Sequence, residues 1–321
     1  MFVELLRSAQ EFFGPENVVS LSVKEQGSYV KQVAKFVEKL PTEYYLYDPR
    51  TGSQSFIPAL LQSFRLVRIF SWRGIVPIVL CTDISLRRWR FQAAVITAAG
   101  GVCLTLSEPH LVKKMFPHDR LIGPILLPIS SRTMSDLKSE IRPRKSARSV
   151  KVSFFGLLYE PRISQLQEIK QGLESLGISF LIEGRHPGGE RISNKSYWDQ
   201  LLSADVTVSP SSQVLDKKMD LGRVNHLIYR FSEALACGAC LVIEAAPGVE
   251  KYFTDGRDLI LWQDTEDAIL KISLLVENPE KVETISRSGR KRLEELVEKK
   301  YFWAEISNYL RYQGQPSAPS D

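Results

Sequence analysis

The strongest constraint on this chain is a rhythm. Short β-rich runs alternate with amphipathic stretches across the first hundred residues, and the pattern restarts at Lys151. In the first half VVSLSV (18–23), EYYLYD (43–48), IVPIVLC (75–81) and GVCLTLS (101–107) read as strands. Helices are expected between them over Tyr29–Leu40, Phe56–Phe70 and Leu86–Ala99. In the second half KVSFFGLL, GISFLIEG, DVTVSPS, ACLVIEA and DLILW read as five strands. Helices over Arg162–Leu176, around Tyr197–Leu202 and up to Cys237 separate them, and a helical tail follows from Thr265 to Tyr312. Strands joined through helices imply parallel sheets, so the expected class is α/β with two doubly wound, Rossmann-like parallel-sheet domains and a C-terminal helical tail.

Length supports two domains. The chain has 321 residues and is 44% hydrophobic, enough to build a core in each of two domains of ~150 residues. Regularity fades after Phe116, and the basic stretch IRPRKSARSVK (141–151) precedes the restart. The reading is an N-terminal domain over 1–140, a linker over 141–150, a second domain over 151–312 and a disordered tail over 313–321. The first domain opens on an amphipathic helix where a strand is usual, which leaves room for a missing first strand and its ligand loop.

Composition and motifs exclude several function classes. With 42 Lys plus Arg against 37 Asp plus Glu the net charge is +5, too mild for a dedicated nucleic-acid binder. The clusters RRWR and IRPRKSARSVK leave a peripheral membrane contact open. No apolar run approaches the ~20 residues needed to span a bilayer, and Glu4, Arg7 and Glu11 interrupt the amino terminus, so a soluble, cytoplasmic protein is expected. Cys237 and Cys240 form a lone CxxC at a helix end and read as packing residues. The four histidines lack metal-site spacing. No G-x-G-x-x-G, P-loop, G-x-S-x-G or Asp-x-Asp sequence occurs.

In open parallel sheets ligands bind beyond the carboxyl ends of strands. That rule selects Gly156 to Arg162, Gly184 to Arg191, Ser209 to Ser212, the segment before Glu233, and Ala245 to Glu250. Tyr229, Arg230 and Glu233 share one helix edge. The carboxylate of Glu233 suits the two hydroxyls of a ribose, or it forms a solvated pair with Arg230 worth ~0.3 kcal/mol; spacing alone leaves both open. In DISLRRWRF (83–91), Asp83 is a candidate base for an acceptor hydroxyl or, alternatively, a helix N-cap.

The segment SEALACGACLVIEAAPGVEKYF, with Glu233, Gly238, Gly248 and Glu250, resembles the donor-domain signature of the large GT-B glycosyltransferase group. FFGLLYEPR (154–162), YWDQLLSADVTVSPSS (197–212) and FWAEI (302–306) are similar to its CgeB-like, spore-maturation branch. The resemblance covers about residues 151 to 310. It implies a GT-B fold whose two domains face a cleft, and transfer of a sugar from a nucleotide diphosphate sugar to an unknown glycan, lipid or protein acceptor. It places Glu233 on the donor ribose and turns the loops after Phe155 and Val208 to the nucleotide, with Gly156, Ser209 and Ser211 as donor candidates. Arg162 and Arg185 are donor candidates by charge, His226 and Tyr229 by their place near the Glu233 edge, and Gly248 and Glu250 by the turn AAPGVE. Asp83, Asn225 and Arg230 are the catalytic candidates. Asn225 stands eight residues before Glu233, where retaining members carry a glutamate. Protein cations would neutralise the diphosphate, so no cofactor, no divalent metal and no nucleic-acid partner are expected. The alternative is a non-catalytic GT-B-like nucleotide-binding or structural protein.

Overall fold

The computed structural model describes residues 2–22, 28–49, 55–82, 87–107, 120–141, 150–190, 192–214 and 223–313. The chain forms two compact units: a smaller one over Glu16–Ile125 with Leu215–Val224, and a larger one over Met1–Pro15, Leu126–Val214 and Asn225–Asp321. This division differs from one at residue 140, because the amino-terminal helix and Leu126–Ile141 pack with the carboxyl-terminal half. The expected linker lies almost wholly outside the described residues, as does the tail beyond Gln313.

The smaller unit carries helices α2 (Tyr29–Lys39), α3 (Phe56–Arg73) and α4 (Arg87–Ala98), and strands β1 (Tyr44–Tyr47), β2 (Val76–Cys81), β3 (Val102–Thr105) and β4 (Leu121–Ile122). The strands are parallel and lie in sequence order β1-β2-β3-β4. β3 is buried throughout and β2 nearly so. Helices α2, α3 and α4 share one core with Tyr47, Val79, Cys81, Cys103 and Leu121, so they cover one face of the sheet, where right-handed crossovers between sequential strands place them. Residues 18–22 of the expected first strand are irregular, so the sheet begins at β1.

The larger unit holds helices α1 (Phe2–Phe13), α5 (Ser131–Glu140), α6 (Arg162–Ser175), α7 (Asn194–Ser203) and α8 (Arg230–Ala236), and a C-terminal run α9 (Thr265–Val276), α10 (Pro279–Glu298) and α11 (Tyr301–Gln313). Its five-stranded parallel sheet comprises β5 (Val152–Leu157), β6 (Phe180–Arg185), β7 (Val206–Ser209), β10 (Cys240–Glu244) and β11 (Ile260–Trp262), in the order β6-β5-β7-β10-β11; the short strands β8 (Ser212–Val214) and β9 (Arg223–Asn225) lie outside both larger sheets. Side chains alternate between two cores. Phe154, Val206, Val208, Cys240 and Val242 join one, while Phe155, Leu241 and Ile243 join the other, the period-two signature of a strand buried on both faces. The order reverses between β5 and β7. In a doubly wound sheet that reversal opens a crevice at the strands' carboxyl ends, and the smaller unit's sequential sheet has no such point.

Two local choices sharpen the larger unit. Gly238, at φ 69°, ends α8 with the Ala239 N–H donating to the Ala234 carbonyl at 3.1 Å, and glycine adopts that left-handed cap most cheaply. On α10, a Cβ at Gly289 would lie 2.1 Å from the Asp258 carbonyl, so only glycine lets this helix approach so closely.

The helix α1 is seated by a buried carboxylate. Glu4 is 6% exposed; its Oε2 accepts from the Ser130 N–H at 2.9 Å and the Ser130 hydroxyl at 2.7 Å, and its Oε1 from the Thr133 hydroxyl at 2.9 Å. Glu11 accepts from the Ser131 N–H at 3.0 Å, so α1 presents two carboxylates to the positive end of α5. Trp303 of α11 donates to Ser8 at 3.0 Å from another side. Glu4→Ala strands a buried backbone N–H and is expected to cost roughly 3 kcal/mol in denaturant unfolding. A loss below ~0.5 kcal/mol would show that the carboxylate does not seat the helix.

Candidate functional site

The reversal between β5 and β7 gathers polar side chains inside the larger unit. Arg162 opens α6 just beyond β5, is 9% exposed, and ties two strand ends together. Its Nη1 donates to the Leu157 carbonyl at 3.1 Å and its Nη2 to the Pro210 carbonyl at 3.4 Å, while the guanidinium lies 4.6 Å from the Tyr159 ring centroid. Arg230 opens α8 and donates through Nη2 to the Phe155 carbonyl. A Cβ at Gly156 would sit 3.1 Å from that same nitrogen, so the absence of a side chain at 156 admits the arginine against β5.

Glu233 lies one turn along α8. Its Oε2 accepts from the Tyr197 hydroxyl at 2.6 Å and faces Arg230 Nη1 at 3.8 Å, with side-chain exposures of 9% for Arg230 and 12% for Glu233. The pair is therefore not the solvated surface contact that spacing alone permits. Tyr197 also lies beneath the Arg230 guanidinium, 5.3 Å from centroid to carbon. Burial holds the Tyr197 and Tyr229 phenols above their ordinary value, opposed at Tyr197 by the Arg230 charge and supported at both by the Glu233 charge, so both stay protonated donors near neutral pH.

The arrangement leaves donors unspent. Arg162 Nε, Arg230 Nη1, the Ser211 hydroxyl and the Tyr229 hydroxyl are buried without a hydrogen-bond partner among the described residues. Buried polar atoms are normally satisfied, and an exception asks for a ligand or a water. Burial pulls the Arg162 guanidinium down from its ordinary value; Tyr159 opposes this, and the neighbouring Arg230 charge adds to it. Arg230, by contrast, is held above its ordinary value against the pull of burial by Tyr197 and Glu233, so of the two cations Arg162 is the one that an added anion relieves.

The loop after β7 is held from beneath by a residue that sequence reasoning did not select. Glu244, at the end of β10 and 2% exposed, accepts the Ser211 and Ser212 N–H groups on Oε2, each at 2.9 Å. Gln165 of α6 donates to Oε1 at 3.3 Å and accepts from the Ser212 hydroxyl at 3.3 Å. The signal was an acid closing an otherwise apolar strand in ACLVIE. Tyr197 was missed as a contact of Glu233 because its helix lies far along the chain from α8.

His226 is 1% exposed and its backbone N–H donates to the Ser211 carbonyl at 3.3 Å. Burial, then the Arg162 charge, pushes its imidazole from 6.5 down to about 4, so it is neutral at physiological pH and offers no charge to a phosphate. Between these values the unfolded chain binds the proton and the folded one does not, so stability falls as pH drops through the window. The loss approaches roughly 3 kcal/mol near pH 4. Urea unfolding of His226→Gln should show a flatter acid limb than the wild type, and an identical limb would remove His226 from the account.

Contacts thus link Gly156, Arg162, Ser211, His226, Arg230 and Glu233, with buried Ser209 and Tyr229 beside them. Other candidates sit apart from this network. Arg185 closes β6 at the sheet's edge and donates to the Gly189 carbonyl at 2.9 Å. The Asn225 side-chain amide donates to the Ala245 carbonyl at 2.5 Å. Gly248, at φ 82°, precedes a short 3-10 helix, Val249–Lys251, on which Glu250 is exposed. Asp83 lies outside the described residues. Among the described residues no three His, Cys, Asp or Glu side chains cluster as metal ligands, and no helix is long and apolar enough to cross a membrane.

Residues 163–306 match the family model described as glycosyl transferase-like, a span that includes Tyr197, Arg230, Glu233 and Glu244 and is under half of the chain. No curated protein matches the sequence. Among solved structures the chain is similar to sucrose-phosphate synthase from Thermosynechococcus elongatus, at 10% identity over 89% of this chain and 77% of that one, with a TM-score of 0.59. It is also similar to Anabaena Alr3699/HepE, solved in complex with UDP and glucose, at 11% identity over 88% and 81% with a TM-score of 0.56. A glycosyltransferase from Rickettsia africae ESF-5 matches at 9% identity over 96% and 88%, with a TM-score of 0.53. At these identities the likeness is one of fold: two parallel-sheet, Rossmann-like units of the GT-B class.

Proposed function

We propose that this chain is a glycosyltransferase of the CgeB-like branch that takes a sugar from a nucleotide diphosphate sugar. The observation that carries this reading is the pairing of Arg162 and Arg230, two buried guanidiniums with unspent donors, at the sheet's reversal point, with Arg230 inside the glycosyl transferase-like segment and Arg162 immediately before it. In this reading Glu233 takes the ribose hydroxyls. Arg162, Arg230 and the Ser211 hydroxyl take the diphosphate, whose charge grows as the glycosidic bond breaks. Fixed cations supply that stabilisation without a divalent ion. The acceptor is a hydroxyl of a glycan, lipid or protein, with Asp83 as the base that activates it. Retention of anomeric configuration is the outcome expected from the spacing of Asn225 and Glu233.

One observation favours a second reading. The Asn225 amide is committed to the Ala245 carbonyl and offers no carboxylate, which suits a protein that binds the nucleotide without transferring the sugar. The experiment that separates the two incubates the chain with a panel of nucleotide diphosphate sugars, with and without acceptor glycans. Release of nucleoside diphosphate and an anomer-resolved product are expected. Ligand-induced stabilisation without release or transfer would establish the non-catalytic reading, and no stabilisation by any nucleotide would overturn both.

A further inference from the structure

The smaller unit carries a surface that the donor site does not use. On α3 the buried residues Ala59, Gln62, Ser63, Leu66 and Phe70 mark the inner face. The opposite face should be polar on a helix that meets water. Instead Ile57 is 67% exposed, Leu61 51%, Phe64 55% and Trp72 79%. At 100° per residue these four fall within one narrow stripe, and Arg65 and Arg68 fall in the same stripe. From Ile57 to Trp72 on this 18-residue helix that stripe is about 23 Å long. At its amino end Phe56 meets Phe91 of α4 edge-on, 5.4 Å between centroids, and Phe91 is also exposed.

Charge says what covers it. Neither α3 nor α4 contains an acidic residue. Arg73 faces Glu38 at 3.9 Å, whereas Arg65 and Arg68 are exposed and form no ion pair with a described residue. We propose that this outer face of α3 docks on an anionic lipid bilayer, with Ile57, Leu61, Phe64 and Trp72 sinking below the headgroups and Arg65 and Arg68 reaching up to the phosphates. Aromatic and aliphatic side chains interleaved with arginines along a helix lying flat are what an interface between water and acyl chains accommodates. A nucleic-acid backbone would use the arginines but gain nothing from burying Ile57 and Leu61. Each arginine near an anionic surface strengthens partition roughly fivefold.

The inference stands apart from the donor site and is tested on the full chain by co-sedimentation with phosphatidylcholine vesicles, with and without phosphatidylglycerol. Binding should require the anionic lipid and weaken steeply with salt. Brominated lipids should quench a component of tryptophan emission that Trp72→Ala abolishes. Arg65→Glu with Arg68→Glu should reduce binding at least tenfold, Phe64→Ser with Trp72→Ala should do likewise, and Arg65→Lys with Arg68→Lys should restore most of it. Thermal melting at the wild-type temperature checks that each variant folds. Failure of the wild type to bind, equal binding to neutral vesicles, or variants that bind like the wild type overturns the proposal. So does an oligonucleotide, or a second copy of the chain seen by sedimentation velocity, whose binding is lost on the same substitutions while vesicle binding is absent.

Discussion

Replacing Glu233 by alanine is expected to abolish the stabilisation that a nucleoside diphosphate gives the wild type. At a hundred times its dissociation constant, such a ligand raises unfolding free energy by ~2.7 kcal/mol. Hydrogen bonds to an ionised carboxylate contribute about 1.5–3 kcal/mol each. Losing two of them weakens binding by a hundredfold or more, which cancels the shift at the same ligand concentration. The apo protein should also lose stability, because Arg230, with 9% side-chain exposure, keeps its charge without a counter-ion 3.8 Å away. Glu233→Gln separates the two effects. Its amide oxygen still accepts one hydroxyl and its size is unchanged, so an intermediate ligand shift is expected. Thermal or urea unfolding with and without nucleotide measures both. A Glu233→Ala protein stabilised as strongly as the wild type would show that the ribose is held elsewhere.

How far such a site can be read from sequence depends on which contacts are local. The Arg230 to Glu233 spacing fixes that both share a helix edge, and the rule that ligands bind beyond strand ends points to the loops after β5 and β7. Neither tells whether that edge is wet. The answer comes from Tyr197 and Phe155, which reach α8 from distant segments. The strand pattern was legible wherever a run was apolar and at least four residues long. It failed at VVSLSV, which alternates like a strand but has no neighbour to pair with among the described residues. It also missed β4, whose two residues carry no period. Helix α5, SRTMSDLKSE, was invisible because only Thr133, Met134 and Leu137 are buried on it. Its position is set by Glu4, more than a hundred residues earlier. The same contact moved the amino-terminal helix out of the unit to which chain order assigns it, since no local signal reports where an amphipathic helix docks.

Glu244→Ala should be the most damaging single substitution on the larger unit's sheet, and it should act on the donor site without touching a donor. The wild-type carboxylate satisfies two backbone N–H groups and the Gln165 amide, all buried. Alanine leaves these without a partner at roughly 1–3 kcal/mol for each group that water cannot reach. A total of about 3–5 kcal/mol is expected once the loop relaxes. That relaxation moves Pro210, whose carbonyl anchors Arg162 at 3.4 Å, so nucleotide-induced stabilisation should shrink although Glu233 is intact. Glu244→Gln tests the reasoning more sharply. The glutamine oxygen can accept both N–H groups, and its amide can donate to Gln165 if that side chain turns its own oxygen inward. Stability should then fall by no more than about 1–2 kcal/mol. The substitution also removes the negative charge that offsets Arg162, so affinity for a diphosphate should hold or rise while the fold weakens slightly. If glutamine proves as harmful as alanine, the charge of Glu244 and not its hydrogen bonds holds the loop, and the stabilisation of Arg162 must be reassigned to that ion.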